Sequence, residues 1–217
     1  MRKVLVIATV VGLVALGAGC SSSDGGSDDR ALAQRAVLKK SDLPDGWTSA
    51  RNQEGSVDLP ECRGIDRAND LAANGPNARS RIFTDPTDPS RVRQITNTVY
   101  VFGNESAASG YFAAYTADTA VTCFETIGET VSVRLGGGIP VSVLQPRAEV
   151  QGADAVVEYK VVVGPPGNDA GSLFQNFLVV RVGRVVTGFQ AQNFGGNFPQ
   201  GTAALTAVMG RIGRATG

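Results

Sequence analysis

Two long β-strands joined by a two-residue turn constrain this fold more than any other feature of the sequence. Residues 172–182 and 185–192 flank Gly183-Arg184, and a turn with glycine first suits the type II′ geometry of a β-hairpin. That turn fixes the register, with Val182 opposite Val185. A slip of one residue would move every apolar side chain to the other face, so the pairing is strongly specified. The next pairs on the same side are Val180 with Thr187, Leu178 with Phe189, and Asn176 with Ala191.

The two faces of this hairpin differ in polarity. The side that carries Val182 and Val185 is nearly all apolar, and we expect it to contact the core. The opposite side is mixed, so it is either thinly covered or lines a cleft. Its pairs are Arg181 with Val186, Phe177 with Gln190, and Gln175 with Gln192. The sequence therefore predicts a ligand-binding cleft whose residues are Gln175, Phe177, Arg181, Gln190 and Gln192.

Helical or strand periodicity covers most of the remaining chain. Asn104 is a suitable N-cap for the strongest helix, which ends just before Cys123. Trp47, the only tryptophan, is expected to cap the core. Further helices are predicted over 30–40, 61–73 and 199–212, and further strands over 92–102, 130–135 and 155–163. The predicted fold class is α+β, an antiparallel β-sheet flanked by helices, with residues 30–217 forming a single domain.

The N-terminus has the pattern of a bacterial lipoprotein signal. Arg2 and Lys3 precede an apolar run over 4–16, and small residues lead to Cys20. The run is short for a membrane-spanning helix, which needs about 20 residues. We predict a signal peptide over 1–19, cleavage before Cys20, and lipid on its sulfur, which would hold the chain at the extracytoplasmic face of the cell membrane. The common motif has leucine where Gly17 stands, and the alternative is an ordinary signal peptide with an incidental cysteine.

The segment that follows Cys20 has the composition of a linker. Residues 20–29 are rich in serine, glycine and aspartate and contain no large apolar side chain, which predicts a flexible tether between the lipid and the domain. Without the signal peptide, 198 residues remain with 20 acidic and 18 basic side chains. The net charge of this part of the chain is close to zero, and the chain has no long basic run. We therefore expect the membrane and not a nucleic acid to be a partner.

Two cysteines remain when Cys20 is assigned to lipid. Cys62 and Cys123 form an even pair, and in an exported protein an even pair predicts a disulfide. The alternatives are a metal site or a reactive thiol, and two cysteines without histidine provide few ligands for a metal. We therefore predict one disulfide, no metal and no cofactor.

The chain contains no histidine, which limits the chemistry that it could perform. Histidine-dependent nucleophile activation, imidazole acid–base catalysis and histidine-bound zinc are excluded. The glycine run 136–138 lacks the lysine and hydroxyl residue of a phosphate-binding loop. Glu125 and Glu129 form a possible carboxylate pair, but no cluster of sugar-stacking aromatic residues surrounds them in the sequence. We expect a protein that is not an enzyme.

Several short motifs together resemble actinobacterial lipoproteins related to the PknH-like extracellular sensor domain. They are Asp42-Leu43-Pro44 with Gly46-Trp47, Phe102 with Ser106-Ala107-Ala108, Cys123, the strand–turn–strand over 179–186, and the closing helix. The resemblance covers about residues 36–214, and the chain has one candidate disulfide where the kinase sensor domain has two. The resemblance implies a helix-flanked antiparallel sheet with a cleft for an unidentified ligand.

Two functions follow as hypotheses. The first is a non-catalytic, sensor-like, membrane-anchored domain that binds a small molecule, a lipid or a component of the cell envelope. The second is a protein-interaction module that assists a cell-envelope complex. The first predicts a pocket, whereas the second predicts an exposed apolar patch.

Overall fold

One antiparallel sheet organises the whole domain. In the computed structural model, which describes residues 24–51, 62–88, 93–195 and 199–216, the strands lie in the order β1-β3-β4-β8-β7-β6-β5, and β2 also pairs with β4. The strands are β1 Thr48–Ala50, β2 Asn77–Arg79, β3 Ile82–Asp85, β4 Arg93–Val101, β5 Val141–Leu144, β6 Ala155–Val163, β7 Leu173–Val182 and β8 Val185–Phe194. The helices are α1 Asp24–Ala36, α2 Arg63–Ala73, α3 Glu105–Thr116, α4 Asp118–Arg134 and α5 Pro199–Thr216. The predicted α+β fold class is confirmed.

The β7–β8 hairpin forms with the predicted register. Val182 pairs with Val185, and every other predicted pair down to Gln175 with Gln192 is present. Gly183 has a φ of 54°, in the left-handed region that glycine adopts without a steric penalty. The two strands lie at the centre of the sheet, with β4 beside β8 and β6 beside β7.

Helices cover both faces of the sheet and create two cores. The first core lies beneath α1 and α5 and includes Trp47, Ile95, Val180 and Phe189. The second core lies beneath α2, α3 and α4 and includes Phe124, Tyr159, Val179 and Val186. Apolar side chains from both faces of β7 and β8 are therefore removed from water, which is the main stabilising contribution in such a layered domain.

Helix α4 replaces a strand that the sequence predicts. The β-branched residues within 130–135 indicated a strand, but they continue the helix that begins at Asp118, so this prediction is wrong. The helix is stabilised by tertiary packing, because Ala120, Phe124 and Ile127 recur at helical spacing and are buried against the sheet. Cys123 consequently lies within α4 and not after the end of α3. Helix α3 itself begins as predicted, with the Asn104 side chain accepting a hydrogen bond from the Ala107 N–H.

Helix α1 begins earlier than the composition of its segment predicts. Residues 24–29, expected to belong to a flexible tether, form the first turns of α1 instead. Asp29 helps to hold this part of the helix in place, because its carboxylate forms a bidentate ion pair with Arg184, at 2.6 and 2.8 Å. The predicted signal peptide, Cys20 and the start of the tether lie outside the described residues. Among the helices that the structure describes, none is both long enough and apolar enough to cross a membrane.

Candidate ligand-binding cleft

A cavity of about 470 Å³ lies between the sheet and the helices of the second core. Volumes of about 300–1,000 Å³ are usual for small-molecule sites. Helix α2 contributes Asn69 to its lining, α3 contributes Tyr111 and Tyr115, and α4 contributes Phe124. We call this cavity the cleft.

The floor of the cleft is a polar strip of the sheet. Thr96 and Thr98 of β4 and Gln190 of β8 line the cleft, and Thr96 pairs with Gln190 across the two strands. Gly188 pairs with Thr98 on one side and with Val179 on the other, so it lies in the interior of the sheet. A Cβ atom built on Gly188 would meet no heavy atom within 4 Å. Glycine in a strand interior often marks a place where a ligand approaches the backbone.

Aromatic rings form one wall of the cleft. The Tyr111 ring lies 5.2 Å from that of Tyr100 and 5.4 Å from that of Tyr115, measured between centroids. The hydroxyls of Tyr111 and Tyr115 donate to Asn69 Oδ1 at 2.8 and 2.9 Å. Distances of 4.5–7 Å between ring centroids are favourable for aromatic pairs. The wall is therefore held in place by ring contacts and by a shared amide oxygen.

The tyrosine hydroxyls of this wall remain protonated at physiological pH. Burial raises the pKa of Tyr111 far above its usual value, and the neighbouring Tyr115 and Tyr100 raise it further. Burial also raises the pKa of Tyr115, although hydrogen bonds with Tyr111 and Asn69 partly oppose this. Both groups consequently act as neutral hydrogen-bonding groups and not as bases.

The predicted disulfide is present and joins two walls of the cleft. Cys62 precedes α2, Cys123 lies in α4, and their Cα atoms are 5.3 Å apart. Both cysteines line the cleft. The covalent bond therefore fixes the distance between α2 and α4 at this point.

The structure brings only two of the five predicted ligand-binding residues into the cleft. Phe177 and Gln190 line it, and the Phe177 ring lies 4.8 Å from that of Phe124. Arg181 is instead at the end of the hairpin, 3.5 Å from Asp154. Gln175 and Gln192 pair with each other across β7 and β8, but neither residue lines the cleft. The Gln175 side chain is buried, and its Oε1 atom has no hydrogen-bond partner among the described residues.

Sequence reasoning missed most of the residues that line the cleft. Asn69, Tyr111 and Tyr115 belong to helices, and their convergence depends on how α2 and α3 pack together. Gly188 did carry a local signal, because it interrupts an otherwise regular strand pattern. The alternation of Thr96 and Thr98 with the buried Ile95, Asn97 and Val99 was a second signal of a polar face.

A smaller cavity lies on the opposite face of the sheet. It has a volume of about 340 Å³ and lies between the sheet, α5 and residues 148–150. Its lining includes Lys160, Asn176 and Leu205. Within the described parts of the chain, no group of three or more histidine, cysteine, aspartate or glutamate side chains could hold a metal ion.

Solved structures that are similar to this chain include two proteins from Mycobacterium tuberculosis. No known protein family and no curated protein matches the chain. The extracellular domain of PknH from Mycobacterium tuberculosis is 11% identical over 87% of this chain and 91% of that chain, with a TM-score of 0.44. LpqN, involved in cell envelope biogenesis of Mycobacterium tuberculosis, is 13% identical over 81% of this chain and 78% of that chain, with a TM-score of 0.27. The first of these structures bears the name of the sensor-domain family that the sequence motifs resemble.

Proposed function

We propose that this protein is a non-catalytic binding domain, exported and held by lipid on Cys20 at the extracytoplasmic face of the cell membrane. Its ligand is a small molecule, a lipid or a component of the cell envelope, and it binds in the cleft. The observation that carries this proposal is the open space above Gly188 in the middle of a sheet that has a hydrophobic core on each face.

Polar groups around this space support a binding role. The side chains of Thr98, Gln190 and Arg79 line the cleft, and none of them makes a hydrogen bond or ion pair with the described residues. Polar groups in a concave site that lack protein partners are available to fix the orientation of a ligand. Their position beside a well-packed aromatic wall gives the cleft both an apolar and a polar surface.

The compartment is supported by two independent features. A disulfide persists in an oxidising environment, and Cys62–Cys123 is formed. The basic, apolar and small-residue segments before Cys20 have the order of a lipoprotein signal. The proposal includes no catalytic step, because the chain has no histidine and the cleft tyrosines are held in the neutral form.

The interaction-module hypothesis has less support from the described surface. Four large apolar side chains are highly exposed, and they are Leu71, Val133, Leu135 and Leu144. Leu71 belongs to α2, whereas Val133 and Leu135 are at the end of α4. Leu144 alternates with Val141 and Val143, which pack into the second core beneath α4, so it lies on the other side of the sheet. Scattered apolar side chains of this kind are normal on a protein surface.

The experiment that tests the cleft uses Gly188→Val. The new side chain would fill the open space, so we expect the variant to fold normally and to lose any species that copurifies with the wild-type chain from its native host. Native mass spectrometry measures that loss. Gly103→Val is the matched control, because the Cβ of residue 103 also meets no atom within 4 Å and lies outside the cleft lining. Equal retention of the species by both variants would refute binding in the cleft.

A further inference from the structure

The chemistry of the cleft indicates which class of ligand it binds. We propose, on the basis of the function proposed above, that the cleft binds an uncharged saccharide, of the size of a mono- or disaccharide. The inference rests on three properties of the lining, namely its polar floor, its charge and the hydrogen-bonding capacity of its aromatic wall.

The polar floor is unsuited to a hydrocarbon chain. The Thr98 hydroxyl and the Gln190 amide lie beside Gly188. They are on the face of the sheet that carries Val179 of β7 and Tyr159 of β6. An acyl chain on this floor would remove these polar groups from water without giving them a hydrogen-bond partner, which is unfavourable. A ligand that bears hydroxyl groups can both donate to and accept from them.

The charged groups at the cleft disfavour an anion. Asp66 and Asp70 line it together with Arg79, so its charged lining carries one more negative than positive group. Asp66 also accepts a hydrogen bond from the Cys62 N–H. A phosphate or carboxylate ligand usually meets an excess of cationic donors. The ligand class that fits is therefore polar but uncharged.

The aromatic wall offers both a flat apolar surface and a mixed set of donors and acceptors. The Tyr111 and Tyr115 hydroxyls donate to Asn69 Oδ1 and also lie 3.1 Å from each other, and each phenolic oxygen keeps a lone pair that can accept from a ligand hydroxyl. The Asn69 Nδ2 group makes no hydrogen bond with the described residues and remains a donor. A sugar ring presents an apolar C–H face with hydroxyls around its edge, and this arrangement complements aromatic rings bordered by amide and hydroxyl groups.

Saturation-transfer NMR on the full mature chain tests the proposal with defined probes. The saccharide probes are glucose, N-acetylglucosamine, maltose and lactose, and the comparison probes are laurate and inorganic phosphate. We expect saturation of the C–H protons of at least one saccharide and no binding of phosphate. The same saccharide should alter the near-ultraviolet circular dichroism of tyrosine without altering the emission of Trp47, because Trp47 belongs to the first core. A change confined to Trp47 would overturn the proposed site.

Thr98→Val removes the floor hydroxyl while nearly keeping its shape. We expect saccharide affinity to fall about tenfold, the effect of one lost hydrogen bond. Thr48→Val is the control, because Thr48 is exposed on the edge strand β1 and outside the cleft. Unchanged saccharide affinity in Thr98→Val would overturn the assignment.

The outcomes separate the class of ligand from the existence of the site. Binding of laurate that Gly188→Val abolishes, with no saccharide bound, would overturn the saccharide class and leave the cleft as a binding site. If no probe binds, and if wild type and Gly188→Val copurify equally with native species, both proposals are overturned.

Discussion

Two glycines in helix interiors have opposite surroundings. A Cβ on Gly128 of α4 would overlap Cγ1 of Val141 and lie 2.7 Å from Cγ1 of Val161. A Cβ on Gly110 of α3 would meet no atom within 4 Å. Glycine at position 128 therefore allows α4 to approach β5 and β6 closely, whereas glycine at position 110 has no such role.

Alanine substitution should separate these two roles. We expect Gly128→Ala to lower the free energy of unfolding by about 1–3 kcal/mol, the usual effect of overpacking a core. Gly110→Ala should raise it by up to about 1 kcal/mol, because alanine is the better helix former. Urea denaturation measures both values. Equal effects of the two substitutions would contradict the close approach of α4 to the sheet.

At the scale of elements, ion pairs attach α1 and the segment that follows it to the rest of the domain. Asp29 pairs with Arg184 of the hairpin turn. After the C-terminus of α1, Asp42 pairs with Arg211 of α5 at 2.7 and 2.8 Å, and Arg211 also donates to the carbonyl oxygens of Ala36 and Val37. Arg211 therefore satisfies carbonyl groups at the C-terminus of α1, which have no partner within the helix.

The Asp42–Arg211 pair predicts a loss of stability in acid. Burial raises the pKa of Asp42, but hydrogen bonds from Arg211 and the Lys39 N–H, with the charges of both residues, outweigh it and leave the pKa below its usual value. Because the folded-state pKa is the lower one, the contribution is present above about pH 4 and is lost as pH falls through the folded value. Asp42→Asn should reduce this acid-dependent loss of unfolding free energy.

The control for this measurement is Asp45→Asn. Asp45 is exposed, and no ion pair joins it to the described residues. Stability curves measured between pH 7 and pH 2 should be the same for wild type and Asp45→Asn, and flatter for Asp42→Asn. A wild-type slope in the Asp42→Asn variant would show that the pair does not contribute.

The disulfide predicts a coupled loss of stability and of binding. It closes a loop with a sequence separation of 61, which in the chain-entropy model corresponds to about 4 kcal/mol. We expect the Cys62→Ser/Cys123→Ser variant to lose stability of this order and to bind cleft ligands more weakly, because α2 and α4 are no longer joined. Denaturant titration and ligand titration measure the two effects. Unchanged binding in a folded variant would show that packing alone sets the width of the cleft.

The elements differ in how far the sequence determines them. The β7–β8 register could be predicted because a two-residue turn and a period of two specify it locally. Residues 130–134 could not be assigned correctly, because their β-branched side chains favour a strand and only packing against β5 and β6 makes them helical. The disulfide was predictable from cysteine number and compartment, whereas the convergence of Asn69, Tyr111 and Tyr115 depends on tertiary packing.

At the scale of the whole molecule, the two cores share one sheet and carry different chromophores. The only tryptophan, Trp47, lies in the first core. All four tyrosines lie in or against the second core, and they are Tyr100, Tyr111, Tyr115 and Tyr159. Strands β7 and β8 contribute side chains to both cores, so disruption of these strands would disrupt both cores together.

This arrangement predicts a single cooperative unfolding transition. Tryptophan emission and the near-ultraviolet circular dichroism of tyrosine should give the same denaturation midpoint, because they report on cores that share their central strands. A guanidinium titration followed by both signals on one sample measures this. Two separate midpoints would mean that the helices on one face detach before the sheet unfolds.

The early start of α1 has a consequence for where the protein can act. Only three residues separate Cys20 from Asp24, the first residue of the helix. A chain extends at most about 3.6 Å per residue, so in the proposed anchored form the helix begins within about 14 Å of the lipid-bearing residue. In that proposed form, a ten-residue tether would let the domain move through the surrounding space, whereas this short connection would keep it at the surface of the bilayer. Asp29, five residues after the start of α1, would then join the β7–β8 hairpin turn to the anchored helix through Arg184.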